Sequence, residues 1–449
     1  MSETTQSRPI GFGRGRPAAL GFIYAAIMMN TVSMGVIVPV FPTLVKSLTG
    51  QGDAGAAQIV GVFGAAWALM NLVFAPVFGN LSDRFGRRPV LLVSMFGLAF
   101  DYLVMAVAPN IAWLFVGRVV SGITASSGSA AGAYVADVST PDNRARNFGR
   151  FQAAANAGIL LGPALGGFVG VLDARAPFWI ASALAFCNGL YGLFIVPESL
   201  SHDRRMPFHW RRANPIGAAG LLFSKKGLFG MAMILFIAQF AASSFNSVFQ
   251  FYTHFRFGWG PAQIAVLLMV LSGSGIVIQS FVAGWLTGRI GERRSVILGM
   301  TVNVIGFAAI GLAPTARLFW MGLTGLMLAG IAFPNLMSLL SKRVDVDQQG
   351  QLQGALAILF GGSQLMGPLI YTNVFAWAVG GGAWLGLPGL PMLVGAALLL
   401  VAVGLSVAYA RPTEHVDHPG AHSGETTPDR PSDRLPDPLP HDPLASHAG

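Results

Sequence analysis

Asp101 and Arg118 are the ionisable side chains that lie well inside long apolar runs of this 449-residue sequence, away from any loop. A charge carried into hydrocarbon is costly, so each is a functional candidate by default. The turn between their two segments is centred on Pro109–Asn110, with Asp101 about eight residues before it and Arg118 about eight after. At a rise of 1.5 Å per residue both sit roughly 12 Å below that turn. Opposite charges at equal depth on adjacent antiparallel helices pair where their faces match. Such a pair has two uses. It is a static structural ion pair, or it is a switch in which protonation of Asp101 frees Arg118.

A second charged constellation is the twelve-residue turn GNLSDRFGRRPV, residues 79–90, between two apolar runs. It carries Gly79, Asp83, Arg84, Gly86, Arg87 and Arg88. A cluster this dense must face water. Asp83 can pair with Arg87 or Arg88, or sit at a helix N-terminus where the dipole favours an anion. Either contact would latch the two halves of the molecule in one state and break when they rock. A weaker copy, GWLTGRIGERRS, spans residues 284–295 and has Gly288 where the first has Asp83.

Two further sets complete the candidates. Gly149, Gly158, Gly162, Pro163, Gly166 and Gly167 fall in one segment. Glycines at these spacings admit a neighbouring helix closely, and the proline removes a backbone hydrogen bond. Generic helix packing is the competing explanation. Asn30, Asn246, Gln250, Gln279 and Asn303 are amides in apolar surroundings. Together they could supply neutral hydrogen bonds to a substrate in a central cavity, and singly each could be a helix–helix contact.

The elements that must position these residues follow from composition. Hydrophobic residues make up 53% of the chain and charged residues 10%, with a mean hydropathy of +0.60. A soluble domain carries about 25% charged residues, so the composition excludes a soluble enzyme of this length and points to an all-α integral membrane protein. Twelve apolar segments span approximately 18–46, 58–82, 88–108, 111–136, 147–171, 177–197, 226–253, 261–287, 293–313, 316–340, 349–379 and 387–410. Twelve crossings put both termini on one side, and that side holds 23 of the 28 lysines and arginines. Positive charge marks the cytoplasmic face, so both termini are expected there. The net charge of +9 is spread over many short loops, which argues against a nucleic-acid partner. The single cysteine, Cys187, excludes an intramolecular disulfide and a cysteine metal cluster. No nucleophile–base pair, metal-ligand spacing or nucleotide-binding loop is visible, so neither an enzyme nor a cofactor or metal is expected, and transport would run on an ion gradient.

One offset of 205 residues relates the halves: Gly79 maps to Gly284, Arg84 to Arg289, Gly86 to Gly291, Arg88 to Arg293, Pro109 to Pro314, Asp142 to Asp347, Gly149 to Gly354 and Gly162-Pro163 to Gly367-Pro368. The predicted organisation is an N-terminal segment 1–17, a six-helix bundle 18–197, a linker 198–225, a second six-helix bundle 226–410 and a disordered tail 411–449. Two bundles related in this way enclose a central site near the membrane midplane and work by rocking. The tail carries His415, His418, His422, His441 and His447 and reads as solvated chain.

The turn at residues 79–90, the glycine–proline pattern of Gly149–Gly167, the stretch Gly117–Asp137 around Arg118 and the region Arg343–Ala357 resemble the major facilitator superfamily, and within it the drug:proton antiporters of the tetracycline-resistance type. The resemblance covers roughly Ala18 to Ala410. It implies a monomeric, multi-pass inner-membrane exporter of a small molecule that exchanges substrate for protons within the lipid bilayer. It also implies that an acid at the position of Asp101 is important for transport. Those exporters carry aspartates at the positions of Asn30 and Asn303. The two amides here remove negative charge that a cationic metal–tetracycline complex would use, so the implied substrate is an amphipathic molecule other than that complex. The alternative is a facilitator or importer of a small metabolite, with Asp101–Arg118 only structural. A ligand-binding membrane sensor would be a third class.

Overall fold

Hydrocarbon offers no hydrogen bonds to a backbone, so apolar runs of this length satisfy their own N–H and C=O groups as helices. The computed structural model describes residues 16–410 apart from 126, 202, 204, 207–219, 221, 223–225 and 346–347. The segments 1–15 and 411–449, with the five tail histidines, lie outside the described residues, as do Asp347 and much of the 198–225 linker.

Among the described residues the helices make twelve crossings. The first six are α1 (Arg16–Ile37), α2 (Asp53–Phe85), α3 (Arg87–Val107), α4 in two parts (Ile111–Thr124 and Ser127–Val138), α5 (Pro141–Gly170) and α6 (Ala176–Ile195). The second six are α7 (Lys226–Phe257), α8 (Pro261–Ile290), α9 (Glu292–Gly311), α10 (Ala316–Ser341), α11 (Gln349–Val379) and α12 (Leu390–Tyr409). Eleven of them are long and apolar enough to cross a membrane by themselves, and α4 makes the twelfth from its two parts. The first predicted segment is corrected at its end. α1 stops at Ile37, and a separate short helix runs Phe41–Thr49, because Pro39 and Pro42 interrupt the backbone hydrogen bonding. The turn placed at Pro109–Asn110 is where α4 begins: the Asn110 side chain caps it, accepting from the N–H groups of Ala112 and Trp113.

The packing repeats between halves. In the first, α1 packs on α5 and α6, and α3 on α4 and α6. In the second, α7 packs on α11 and α12, and α9 on α10 and α12. The halves meet through α2 on α11 and α5 on α8, which are equivalent pairs with the halves exchanged. Local conformation repeats as well. Gly86 and Gly291, the turn glycines one repeat apart, both have positive φ, +109° and +81°, a region that favours glycine. Pro163 and Pro368 both lie inside their helices, α5 and α11. One departure is a π-helical turn in α8 at Ile278–Val282.

In lipid, helix association depends on close packing and interhelical hydrogen bonds rather than on the hydrophobic effect. The glycines of α5 show where this applies. A Cβ on Gly158 would meet Thr31 and the Met28 carbonyl, one on Gly162 would touch Gly35 and the Val32 carbonyl, and one on Gly166 would overlap Val36. These three form the stripe on which α1 rests. Gly167 faces the other half, against Ala265 and the Pro261 carbonyl of α8. Gly149 corrects the predicted set: it is exposed, and a Cβ there would meet nothing within 4 Å. Gly166→Ala is therefore expected to cost about 1–3 kcal/mol through overpacking, and Gly149→Ala nothing measurable. Thermal melting of the two purified variants in detergent checks the contrast, and equal melting temperatures would contradict it.

Candidate functional site

Between the halves lies a cavity of about 370 Å³. Its polar lining includes Asn30 from α1, Arg118 from α4, Asn246 and Gln250 from α7 and Gln364 from α11. Phe41, Trp67, Tyr102 and Phe251 supply aromatic surface. Asn30, Asn246 and Gln250 thus line one cavity, and the buried Oε1 of Gln250 has no hydrogen-bond partner among the described residues. Gln279 and Asn303 are not among the lining residues, which corrects their placement. Gln279 is exposed within the π-helical turn of α8. Asn303 is half-buried on α9, a helix that packs on α10 and α12. Tyr102, Trp67 and Gln364 went unrecognised in the sequence, since in helices that are apolar all round no periodicity marks the face turned to a cavity.

Asp101 and Arg118 do share a face. Arg118 Nη2 lies 2.9 Å from Asp101 Oδ2 and 3.2 Å from Met105 Sδ. The Asp101 side chain is 0% exposed, whereas that of Arg118 is 18% exposed and borders the cavity, its Cζ 5.5 Å from the centre of the Phe41 ring. Gly117 permits this approach, because a Cβ there would stand 2.7 Å from Asp101 Oδ1. That second carboxylate oxygen is buried without a hydrogen-bond partner among the described residues. The acid is sealed behind the base, and only the base touches the space a ligand would occupy. A change of charge on Asp101 reaches the cavity through Arg118.

The turn between α2 and α3 is organised by two carboxylates besides Asp83. Arg87 donates from Nη1 to Asp83 at 2.5 Å and from Nε to Asp137, at the end of α4, at 3.1 Å. Glu198, just after α6, accepts from the backbone N–H groups of Arg87 at 2.8 Å and Arg88 at 3.2 Å, and from those of Ser199 and Leu200. Arg88 donates to the Leu193 carbonyl at 2.6 Å. Arg84 stacks over Phe85, and Gly79 has open space around it. Glu198 caps the first turn of α3, where orphan N–H groups and the helix dipole both favour an anion. It was missed in the sequence because a lone acid after an apolar run reads as the start of a linker.

The expected latch between halves is corrected here. Asp83, Arg87, Asp137 and Glu198 all belong to the first half or its edge, and their contacts tie that half to itself. The corresponding end of the second half does the same, with Glu292 bound to Lys342 and Ser338. The halves are joined instead at the opposite end, where Gln58 donates to Asn373 at 2.8 Å and Gly61 packs on Pro368 and Thr372. Asp83 is 45% exposed, so its ion pair contributes at most about 1 kcal/mol to stability. We therefore expect Asp83→Asn to leave the melting temperature near that of the parent while lowering transport strongly, because Arg87 loses one of its two acids. Paired melting and flux measurements check this; unchanged flux would remove Asp83 from the working parts.

Residues 23–368 match the Major Facilitator Superfamily. The chain belongs to the major facilitator superfamily. It is accordingly a multi-pass membrane transporter with the two-bundle architecture of that superfamily. It is 37% identical over 388 residues to the class C tetracycline resistance protein of Escherichia coli, an alignment covering 86% of this chain and 95% of that protein. It is 36% identical over 380 residues to the class G tetracycline resistance protein of Vibrio anguillarum, covering 84% and 93%. Among solved structures, the human organic anion transporter MFSD10 (TETRAN) superposes with a TM-score of 0.65 at 22% identity, covering 88% of this chain and all of that one, a likeness of fold. Within the superfamily framework, the cavity at the meeting of the halves is the candidate substrate site.

Proposed function

We propose that this major facilitator exports an amphipathic small molecule in exchange for protons, by rocking its two halves about the central cavity. The observation that carries the reading is the Asp101–Arg118 pair, with its carboxylate sealed and its guanidinium at the cavity wall. Protonation of Asp101 would leave an uncompensated positive charge facing the substrate site. A ligand carrying positive charge and a proton then compete without touching the same atom, which is the sign of coupling that antiport requires. The relatives, named for tetracycline resistance along nearly their whole length, support outward drug movement. The cavity's amides and aromatic rings, with no acid among its lining residues, support a ligand other than a strongly cationic metal chelate.

The concentration of Lys and Arg at the end that bears the turns supports cytoplasmic termini in a bacterial inner membrane. The joining of the halves at the opposite end supports a state whose cavity is reached from the cytoplasm. In this reading the protein is a monomer without catalytic chemistry or a cofactor, and its partners are substrate, protons and lipid.

Inside-out vesicles loaded with a pH-sensitive dye test the proposal. An acid-inside gradient is imposed and a panel of amphipathic drugs, tetracycline included, is added. Drug-induced proton leakage is the expected result. No leakage with any drug, together with gradient-independent flux of a metabolite, would replace antiport by facilitated diffusion.

A further inference from the structure

At the end opposite the basic turns, three ionisable side chains from the two halves meet. Lys46, on the short helix after α1, and Asp53, at the start of α2, form an ion pair in the first half. His254, near the end of α7 in the second half, reaches both. Its Nδ1 lies 3.0 Å from Asp53 Oδ2 and 3.2 Å from Lys46 Nζ. The His254 side chain is 51% exposed, on the aqueous face at that end. One ring nitrogen cannot serve both neighbours in one state. In the neutral ring whose proton is on Nε2, Nδ1 accepts from the Lys46 ammonium; the other neutral tautomer already donates to Asp53, and acid leaves only the donating form. Protonated, it donates, and the Asp53 carboxylate is its partner.

We propose that Lys46, Asp53 and His254 form a proton-tuned clamp between the halves: acid on that face converts the His254–Asp53 contact into a charge-assisted hydrogen bond and holds that end of the molecule shut. Charge-assisted bonds are shorter and about twice as strong as neutral ones. Lys46 does not cancel the gain. Its ammonium is bound to the other carboxylate oxygen of Asp53, and its flexible stem lets it leave the ring while keeping that bond. Its repulsion of the imidazolium then acts through solvent and is screened. Other charges are turned away. Arg256 donates its Nε to the Ala313 carbonyl at 3.3 Å, and Arg317 at the start of α10 is exposed. Helices α11 and α12, which pack on α7, contain no Asp, Glu, Lys, Arg or His. The neighbouring Gln58–Asn373 bond crosses the same boundary and has no titratable partner, so the clamp modulates a closure that is not wholly dependent on it.

The clamp itself does not rest on the export reading, but its use in the cycle does. In a proton-driven exporter this is the face from which protons arrive, so the clamp favours shutting that face once the carrier has loaded its proton.

The test is a distance measurement by double electron–electron resonance. Spin labels are placed at Gln51→Cys and Arg317→Cys, both exposed and on opposite halves, in a Cys187→Ser parent in lipid nanodiscs. The pH is lowered from about 8 to about 5.5, the interval in which histidine changes charge. The ratio of short-distance to long-distance populations is expected to rise about two- to fivefold, the range open to an exposed ion pair. The rise should vanish in His254→Gln and in Asp53→Asn. A rise that persists in His254→Gln or in Asp53→Asn, or a flat response in the parent, would each overturn the clamp. Absence of drug-induced proton leakage with the rise intact would remove only its place in an export cycle.

Discussion

Asp101→Asn is expected to abolish drug-induced proton movement while the protein still inserts and folds. The amide nearly matches the carboxylate in shape, so α3 keeps its packing against Gly117 of α4. What is lost is the charge. Arg118 then has no counter-ion at the one place where its guanidinium leaves the cavity wall, and no proton can be taken up or released in exchange. Removing one member of a buried pair costs about 3–5 kcal/mol because the other charge is left uncompensated. Here the guanidinium borders the cavity, so it turns toward that space and part of the cost is relieved. The variant rests in the state that protonation would produce, with Arg118 free, and cannot leave it. At about 1.4 kcal/mol per tenfold, a lasting bias near 3 kcal/mol lowers turnover about a hundredfold. The vesicle assay with a gel-filtration control reads both halves of the expectation. Wild-type proton movement in Asp101→Asn would sink the coupling role, and Asp101→Glu, which restores a titratable group, should recover part of the activity.

This pair was legible in the sequence because depth alone located it: two charges equidistant from a turn on adjacent helices have few other places to go. The repeat was legible for a similar reason. Glycines and prolines at one offset mark backbone geometry rather than surface, and the positive φ of both Gly86 and Gly291 is that geometry appearing twice. What stayed hidden depends on helix rotation and on contacts between distant segments. Gln279 and Asn303 were assigned to the cavity from residue type. The π-helical turn at Ile278–Val282 alters the facing of residues in α8, and no local pattern announces it. Gly149 fits the glycine spacing and yet a Cβ there would meet nothing within 4 Å. His254 and Asp53 lie about two hundred residues apart and carry no shared signature. Glu198 was hidden by its place in the chain, although it binds the first turn of α3.

That carboxylate gives the second large effect. Glu198→Ala removes the acceptor for four backbone N–H groups, two of them at the start of α3. Hydrogen bonds to a charged group contribute about 1.5–3 kcal/mol each when buried. Glu198 is half-buried and water replaces part of what is lost, so a net cost of about 2 kcal/mol, or roughly 2–4 °C in melting temperature for a chain of this length, is expected. Transport should fall further than stability, because the freed turn no longer holds Arg87 between Asp83 and Asp137. Gly86→Ala should do similar damage from the other side. Its φ of +109° is strained for any L side chain, and its Cβ would stand 2.6 Å from the Glu198 carboxyl carbon. Backbone strain of this kind costs about 1–3 kcal/mol. The two changes are predicted to be non-additive. In the double variant the alanine at position 198 makes room for the new Cβ, so the steric part of the Gly86 penalty disappears and only the φ strain remains. Residues in contact show such coupling and distant ones do not. A double-mutant cycle read by thermal melting should therefore give a combined loss smaller than the sum of the singles. A strictly additive cycle would mean that Glu198 and the turn glycine do not meet in the folded protein.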